Sequence, residues 1–315
     1  MPAKVREVQP AAARHYFTGF NPNQIHNGLR RTFPELPTFD NPKLLADGFS
    51  SYAILAAGEF IFRIAKTSEA MNGYQKERMI LPRLRPYLPV QIPETLWYAG
   101  PSELFPFGVM GYRLISGIPF SLDLIPQVNL KRVAQDLAKF LVALHQVPPE
   151  QVANFGLNKT SDDQVWWQDV ASTLRTHLPK GEYEMIISWW DAYLNSPAGK
   201  FFTPKLIHGD PWGENIILNE TLDQVVGIVD FESVTVGDVA QDFAAQKYVG
   251  LDFMSQVIES YEKLGGDVEG HFDRRLRDVS MLRELRGLWY AVKYPEAGEL
   301  KDSLQKVRAE LVEER

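Results

Sequence analysis

Hydrophobic residues change their spacing near Gly117. Before that point the runs are short and broken by glycine-bearing turns. "KLLADG", "SSYAILAAG" and "EFIFRIAK", from Lys43 onward, read as three strands of an antiparallel meander. "AMNGYQKERMILPRL" then shows helical spacing, and "IPETLWYAG" and "FGVMGYRLISG" supply two more strands. An earlier segment, "NPNQIHNGLRRTFPEL", predicts a short opening helix that ends near Pro34. Beyond Gly117 the chain is mostly helical. Leu130, Val133, Leu137, Phe140, Leu141 and Leu144 share one helical face, and "EYEMIISWWDAYL" forms another helix. Between 205 and 231 the pattern reverts to the strands "KLIHG", "ENIILN" and "VVGIVDF", the last two joined by a turn over Glu220–Gln224. Three or four helices finish the chain, including "DFMSQVIESYEKL" and "DRRLRDVSMLRELRGLWYAV". The expected class is α+β, with a small five-stranded lobe over 1–115 and a larger helical lobe over 116–315, without internal repeats.

Composition narrows the function. A formal charge of −7 over 315 residues gives no basic face for nucleic acid. The absence of cysteine removes disulfides, thiolate catalysis and cysteine-held zinc together. "MPAKVREVQPAAARHYF" lacks an apolar core of signal-peptide length, and no run approaches membrane-spanning length. The expectation is a cytoplasmic protein with neither nucleic acid nor membrane as partner. "NKT" and "NET" match the glycosylation pattern by chance.

The stretch "LIHGDPWGENIIL", residues 206–218, interrupts two aliphatic runs with a histidine, an aspartate and an asparagine. Asp230 ends the next apolar strand, fifteen positions after Asn215. Two neighbouring strand ends thus present Asp210, Asn215 and Asp230 at one edge. Such oxygen ligands suit Mg²⁺, whose other positions are filled by phosphate oxygens and water. A carboxylate left free of metal orients a hydroxyl and accepts its proton. Metal, phosphate and hydroxyl together describe phosphoryl transfer. Taken singly, Asp210 or Asn215 reads as a turn former; the combination points to a site.

The spacing also carries a resemblance. His208-Gly209-Asp210 with Asn215 resembles the protein-kinase catalytic loop, in which aspartate precedes asparagine by five, and Asp230-Phe231-Glu232 resembles its metal-binding element with glutamate in place of glycine. "HGD" followed by "GD…QDFA" is similar to the aminoglycoside phosphotransferase family of small-molecule kinases, from about Leu44 to the final helices. The resemblance implies a bilobal protein-kinase-like fold and an Mg²⁺-dependent phosphotransferase using ATP or GTP. It implies Asp210 as the catalytic base or hydroxyl-orienting group, and Asn215 and Asp230 as metal ligands. His208 braces the loop and Asp242 supports it from the following helix. Asp238 caps that helix.

In the small lobe the resemblance implies a phosphate-pairing cation oriented by a helix glutamate. Arg63 falls at that position, Lys66 at the strand end is the other candidate, and Glu77 is the partner. "ADGFSSYAI" stands where the nucleotide loop is expected, with the Ser50 or Ser51 hydroxyl near phosphate. It lacks the three-glycine pattern, and no Walker loop occurs in the chain. "YRLISG" is the expected hinge, offering backbone groups from Tyr112 to Leu114 to the base.

The acceptor is a small molecule with a hydroxyl, and three readings stay open. The first is an aminoglycoside or related amino-sugar, held by carboxylates through Coulomb attraction. "AAQKYVGLDF", with Gln246, Lys247 and the one acid Asp252, departs from an acid-rich acceptor wall. Glu232, Asp162, Asp163, Asp169 and Glu284 are other acids available to it, with Trp166, Trp167 and Trp289 to stack on a sugar or cation. The second is a metabolic kinase for a small alcohol such as choline, homoserine or a sugar. The third is a silent nucleotide-binding protein.

Overall fold

The computed structural model describes residues 21–40, 42–48, 50–152, 163–196, 202–295 and 298–313. The opening stretch read above, the "NKT" pattern and Asp162 lie outside the described residues. Backbone contacts divide the chain into two compact units. One runs to Arg85 and again from Gln91 to Ser116; the other comprises Pro86–Val90 and Gly117–Arg315.

The first unit opens with helix α1 (Pro22–Thr32), capped by the Asn21 side chain, which accepts the N–H groups of Asn23 and Gln24. Strands β1 (Lys43–Asp47), β2 (Ser51–Ala56) and β3 (Phe60–Ala65) lead to helix α2 (Ser68–Leu84), then β4 (Thr95–Ala99) and β5 (Val109–Arg113). All neighbours pair antiparallel, in the order β1-β2-β3-β5-β4. The meander therefore holds for three strands only. A whole helix separates β3 from β4, long enough to carry the chain past the β3 edge, and β5 returns into the gap.

Central β3 is buried along its entire length, as a run without polar alternation requires. Phe62 stacks on Phe33 and tilts against Trp97, and with Ile25, Leu29 and Ile54 it forms the core of this unit. Gly111 pairs with Phe62 across β3 and β5, and a Cβ there would come within 2.4 Å of the ring. The strand glycine is thus a packing requirement.

In the second unit β6 (Ile118–Pro119), β8 (Ile216–Leu218) and β9 (Val225–Ile228) form one antiparallel sheet, while β7 (Lys205–Ile207) pairs with β10 (Thr235–Gly237). β6 and β10 are too short for a sequence period to reveal. The helices are α3 (Leu130–His145), α4 (Asp163–His177), α5 (Lys180–Asn195), α6 (Ala240–Ala244), α7 (Leu251–Lys263), α8 (Phe272–Lys293) and α9 (Leu300–Glu313). The expected stripe of α3 is buried from Val133 to Leu144 and packs against α7. Helices α4, α5, α8 and α9 enclose a second core rich in aromatic rings. Among the described residues, no helix is long and apolar enough to cross a membrane.

Candidate active site

The loop between β7 and β8 is shaped by one buried carboxylate. Asp242, on α6, accepts the His208 amide through Oδ2 at 2.9 Å and the Gly209 amide through Oδ1 at 2.7 Å. His145 Nε2 lies 3.1 Å from the same Oδ2. A proton on Nε2, facing the carboxylate, leaves Nδ1 to accept the Tyr261 hydroxyl at 2.9 Å. Burial, with the nearby Asp242 charge, pushes the Tyr261 hydroxyl up from its ordinary value, so it remains a donor. A charge buried this completely is stable only when its oxygens are filled, and here they are.

Gly209 turns the chain with φ +86°, and a Cβ on it would stand 2.5 Å from the Ser233 carbonyl. Only glycine meets both demands. His208 is fully buried, its ring 4.5 Å from that of Phe231. Its Nε2 donates to the Val229 carbonyl at 3.1 Å, which fixes Nδ1 as acceptor for the Asp210 amide at 3.3 Å. The histidine braces two segments of backbone, and Asp210 follows it with a half-buried side chain.

Asn215 Nδ2 donates to the Asp210 carbonyl at 2.9 Å. An amide whose nitrogen is so engaged presents its Oδ1 as a ligand oxygen. The Val229 amide donates to the Asn215 carbonyl at 2.9 Å, so Asn215 and Asp230 stand at the same end of the β8–β9 hairpin. Asp230 adopts a left-handed backbone, φ 66° and ψ 64°, which a non-glycine residue rarely takes without reason. A carboxylate oxygen of Asp230 and one of Glu232 lie within 4.8 Å of each other. Two like charges so close favour a cation between them. This all-oxygen donor set fits Mg²⁺.

Asp210 has a neighbour that its motif did not announce. Arg283 Nη2, from α8, lies 2.7 Å from Asp210 Oδ1. The guanidinium also stands over the Tyr248 ring, 5.5 Å from its centroid. Burial works against the Arg283 charge, but Asp210 and Tyr248 outweigh it and hold the group firmly protonated. Gln246, buried, donates to the Pro211 carbonyl at 2.6 Å and ties the far side of the loop to the helical lobe.

The remaining candidates fall in varied places. In the first unit, Arg63 is 5% exposed and its Nη1 lies 2.6 Å from Oε1 of the fully buried Glu77, with the Tyr74 ring against the guanidinium. Lys66 is drawn instead to Asp47 and, at 2.5 Å, to the Gly48 carbonyl, which closes the β1–β2 turn. Ser50 and Ser51 sit half-buried at that turn. Tyr112 is buried in β5, and the Leu114 amide already donates to the Glu59 carbonyl at 2.8 Å, leaving no N–H there for a base.

In the second unit, Trp166 is 5% exposed in the aromatic core, packed on Trp167 and Trp190, and is not presented to a ligand. Trp289 is half-buried and donates to Asp169 at 3.3 Å, with Lys293 over its ring. Asp252 is exposed in the first turn of α7. Glu284 is buried, with Lys247 at 3.0 Å and the Tyr248 hydroxyl donating to it. Asp238 does more than cap α6 through the Ala240 amide: its other oxygen pairs with buried Arg275 at 3.1 Å.

Sequence reading did not find His145 or Arg283, and it named Gln246 only as a departure from an acid-rich wall, not for its bond to the loop. His145 had a signal, since it follows the apolar stripe of α3 at a core position. Arg283 had none, because α8 carries charge on every turn.

A protein-kinase-like phosphotransferase is the class these elements define. A model of the phosphotransferase enzyme family, APH, matches residues 42–275, and the chain belongs to that family. It is 27% identical over 206 residues to viomycin phosphotransferase from Streptomyces vinaceus, covering 62% of this chain and 67% of that one. The fold is similar to the GDP complex of wild-type aminoglycoside 2'-phosphotransferase-IIIa, with TM-score 0.80, 21% identity and coverage of 94% of this chain and 100% of that one. It is also similar to macrolide 2'-phosphotransferase type I, with TM-score 0.69, 17% identity and coverage of 90% and 96%.

Proposed function

We propose that this phosphotransferase moves the terminal phosphoryl group of ATP or GTP, with Mg²⁺, to a hydroxyl of an aminoglycoside or related antibiotic. The observation that carries the reading is the double acceptance of the His208 and Gly209 amides by Asp242, which fixes the backbone that carries Asp210. Asp210 orients the acceptor hydroxyl and takes its proton as the oxygen attacks phosphorus. Asn215 and Asp230, with Glu232 beside them, would hold Mg²⁺, which neutralises charge on the phosphate oxygens when bound. Arg63, held by Glu77, pairs with the nucleotide phosphates; Lys66 serves the turn. The nucleotide is supported by GDP in the aminoglycoside 2'-phosphotransferase-IIIa complex and by ADP in another aminoglycoside phosphotransferase. Kanamycin and streptomycin in related complexes support the acceptor class.

A second reading, a kinase for a small alcohol, is favoured by one observation. Glu284, an acid available to a polycation, is buried and already engaged by Lys247 and the Tyr248 hydroxyl. The test is mass-spectrometric detection of phosphorylated product from ATP or GTP with Mg²⁺, across aminoglycosides, macrolides, viomycin, choline, amino acids and sugars. Product from an antibiotic supports the first reading, product only from a small alcohol the second, and nucleotide binding without any product overturns both.

A further inference from the structure

We infer that Gly287 is a specificity-determining residue: it keeps open the spot on α8 where the second ring of a multi-ring acceptor lies, next to the ring whose hydroxyl Asp210 holds. The inference rests on the proposed role of Asp210 and narrows the acceptor at that site. Gly287 is exposed inside the 22-residue helix α8, where glycine is less favourable than any residue but proline. Nothing around it asks for a glycine. Its φ is not positive, and among the described residues no heavy atom beyond its own stretch of helix stands within 4 Å of the Cβ that another residue would bring. Gly111 and Gly209 are the opposite case, since a Cβ on either would collide.

Position supplies the reason. Residues four apart lie on one face of a helix, about 6 Å along its axis. Gly287 therefore follows Arg283, whose Nη2 is 2.7 Å from Asp210 Oδ1. Three residues further on, half-buried Tyr290 holds its ring 4.5 Å from that of Tyr294, at the end of the helix. Bare backbone is thus left between the partner of the catalytic carboxylate and a pair of tyrosine rings. Backbone without a side chain lets a ligand approach closely. One helical turn is close to the spacing of linked sugar rings. A second amino-sugar ring at Gly287 lays a C–H face on Tyr290 and sets an ammonium against the same aromatic ring. A small alcohol ends at Asp210 and reaches neither residue.

Two probes carry the same groups and differ in length: glucosamine and its linked dimer. Each is titrated into the full-length protein by NMR, without nucleotide, and thermal unfolding is followed alongside. The wild type should bind the dimer about tenfold tighter than glucosamine. Gly287→Leu should raise the unfolding midpoint by a few degrees, because leucine favours a helix and the spot is open. The same variant should bring dimer affinity down to that of glucosamine, while glucosamine binds as before. Tyr290→Leu should weaken the dimer with the same selectivity. A merely structural role for Gly287 would not give a more stable protein that loses only the longer ligand. A wild type that binds neither probe, or the dimer no tighter than glucosamine, overturns the inference. So does equal loss of both probes, an undiminished dimer affinity in either variant, or a lowered midpoint in Gly287→Leu. Turnover is not read here, so each of these failures leaves the phosphotransfer reading standing. A length preference retained in a protein that yields no phosphorylated product marks the opposite failure.

Discussion

Asp242 and His145 meet at 3.1 Å behind the loop that carries Asp210, and neither is exposed by more than a few per cent. The pair ties α3 to α6, and the remaining capacity of the carboxylate organises backbone. Asp242→Asn keeps the shape but replaces one acceptor oxygen with a donor nitrogen, which must then face an N–H group. Removing one member of a buried, hydrogen-bonded charge network costs about 3–5 kcal/mol. The expected outcome is a lower unfolding midpoint in urea together with loss of phosphotransfer. His145→Phe, which keeps the ring volume, should lower stability less and leave part of the activity. Equal damage from the two would place the loss in the helix contact and not in the loop.

Asp210 sits at the end of this support without holding it up. Its side chain is half-buried, and Arg283 Nη2 lies 2.7 Å from its Oδ1. Asp210→Asn should therefore fold and bind Mg-nucleotide with little change. A missing proton acceptor at the reacting hydroxyl typically costs about 10²–10⁴ in rate. Single-turnover phosphorylation of the acceptor measures this directly, and retained transfer would sink the assignment.

The two cations of the small unit should separate cleanly. Arg63 and Glu77 are both buried, so Arg63→Met strands a carboxylate and is expected to cost about 3–5 kcal/mol. Lys66 is 24% exposed and its Asp47 partner 60%, so Lys66→Met should cost no more than about 1 kcal/mol. Arg63→Lys tests function without stranding Glu77. It should raise the KM for nucleotide more than it lowers the unfolding midpoint, because an ammonium loses the two-pronged geometry. A nucleotide KM that responds to Lys66→Met and not to Arg63→Lys would reverse the assignment.

Much of this was legible in the residues because the signals were local. The glycine-punctuated runs of the small unit and the spacing from His208 to Asn215 needed no tertiary information. What escaped depended on contacts between distant segments. β5 enters between β3 and β4 through a long connection whose return position no period encodes. Arg283 meets Asp210 across seventy-three positions, and charges on α8 look alike until packing selects one. The Leu114 amide shows a third dependence: the hinge expectation follows from place in the chain, while the hydrogen bond of this amide to the Glu59 carbonyl is set by the β2–β3 turn.

Gly209 sets a limit on what the loop tolerates. Its φ of +86° and the 2.5 Å approach of a Cβ to the Ser233 carbonyl act together, and the obstacle is backbone that cannot swing away. Gly209→Ala should cost about 1–3 kcal/mol by strain alone. Because the strain falls between His208 and Asp210, activity should fall further than stability. Thermal unfolding and kcat measured on the same preparation check this, and a variant with wild-type kcat would show that the loop relaxes elsewhere.

Asp238 offers a pH test with a definite sign. Burial pushes its carboxyl up from the ordinary value of 3.8, against the lowering effects of the Ala240 amide and Arg275. A raised pKa in the folded state means that the protonated form folds more favourably than the charged one. The stabilising contribution is fully present below 3.8, the unfolded value, and is lost as pH rises through the folded value. Asp238→Asn removes this titration together with the Arg275 pair, whose effect opposes burial and is already contained in the raised folded value. Asp278, whose pKa burial also raises, titrates in both proteins and drops out of the difference. Urea unfolding of the two proteins between about pH 3.5 and 7 should thus give a wild-type advantage that shrinks as pH rises. An advantage that grows with pH would mean that Arg275 outweighs burial, and that the pair stabilises the charged carboxylate.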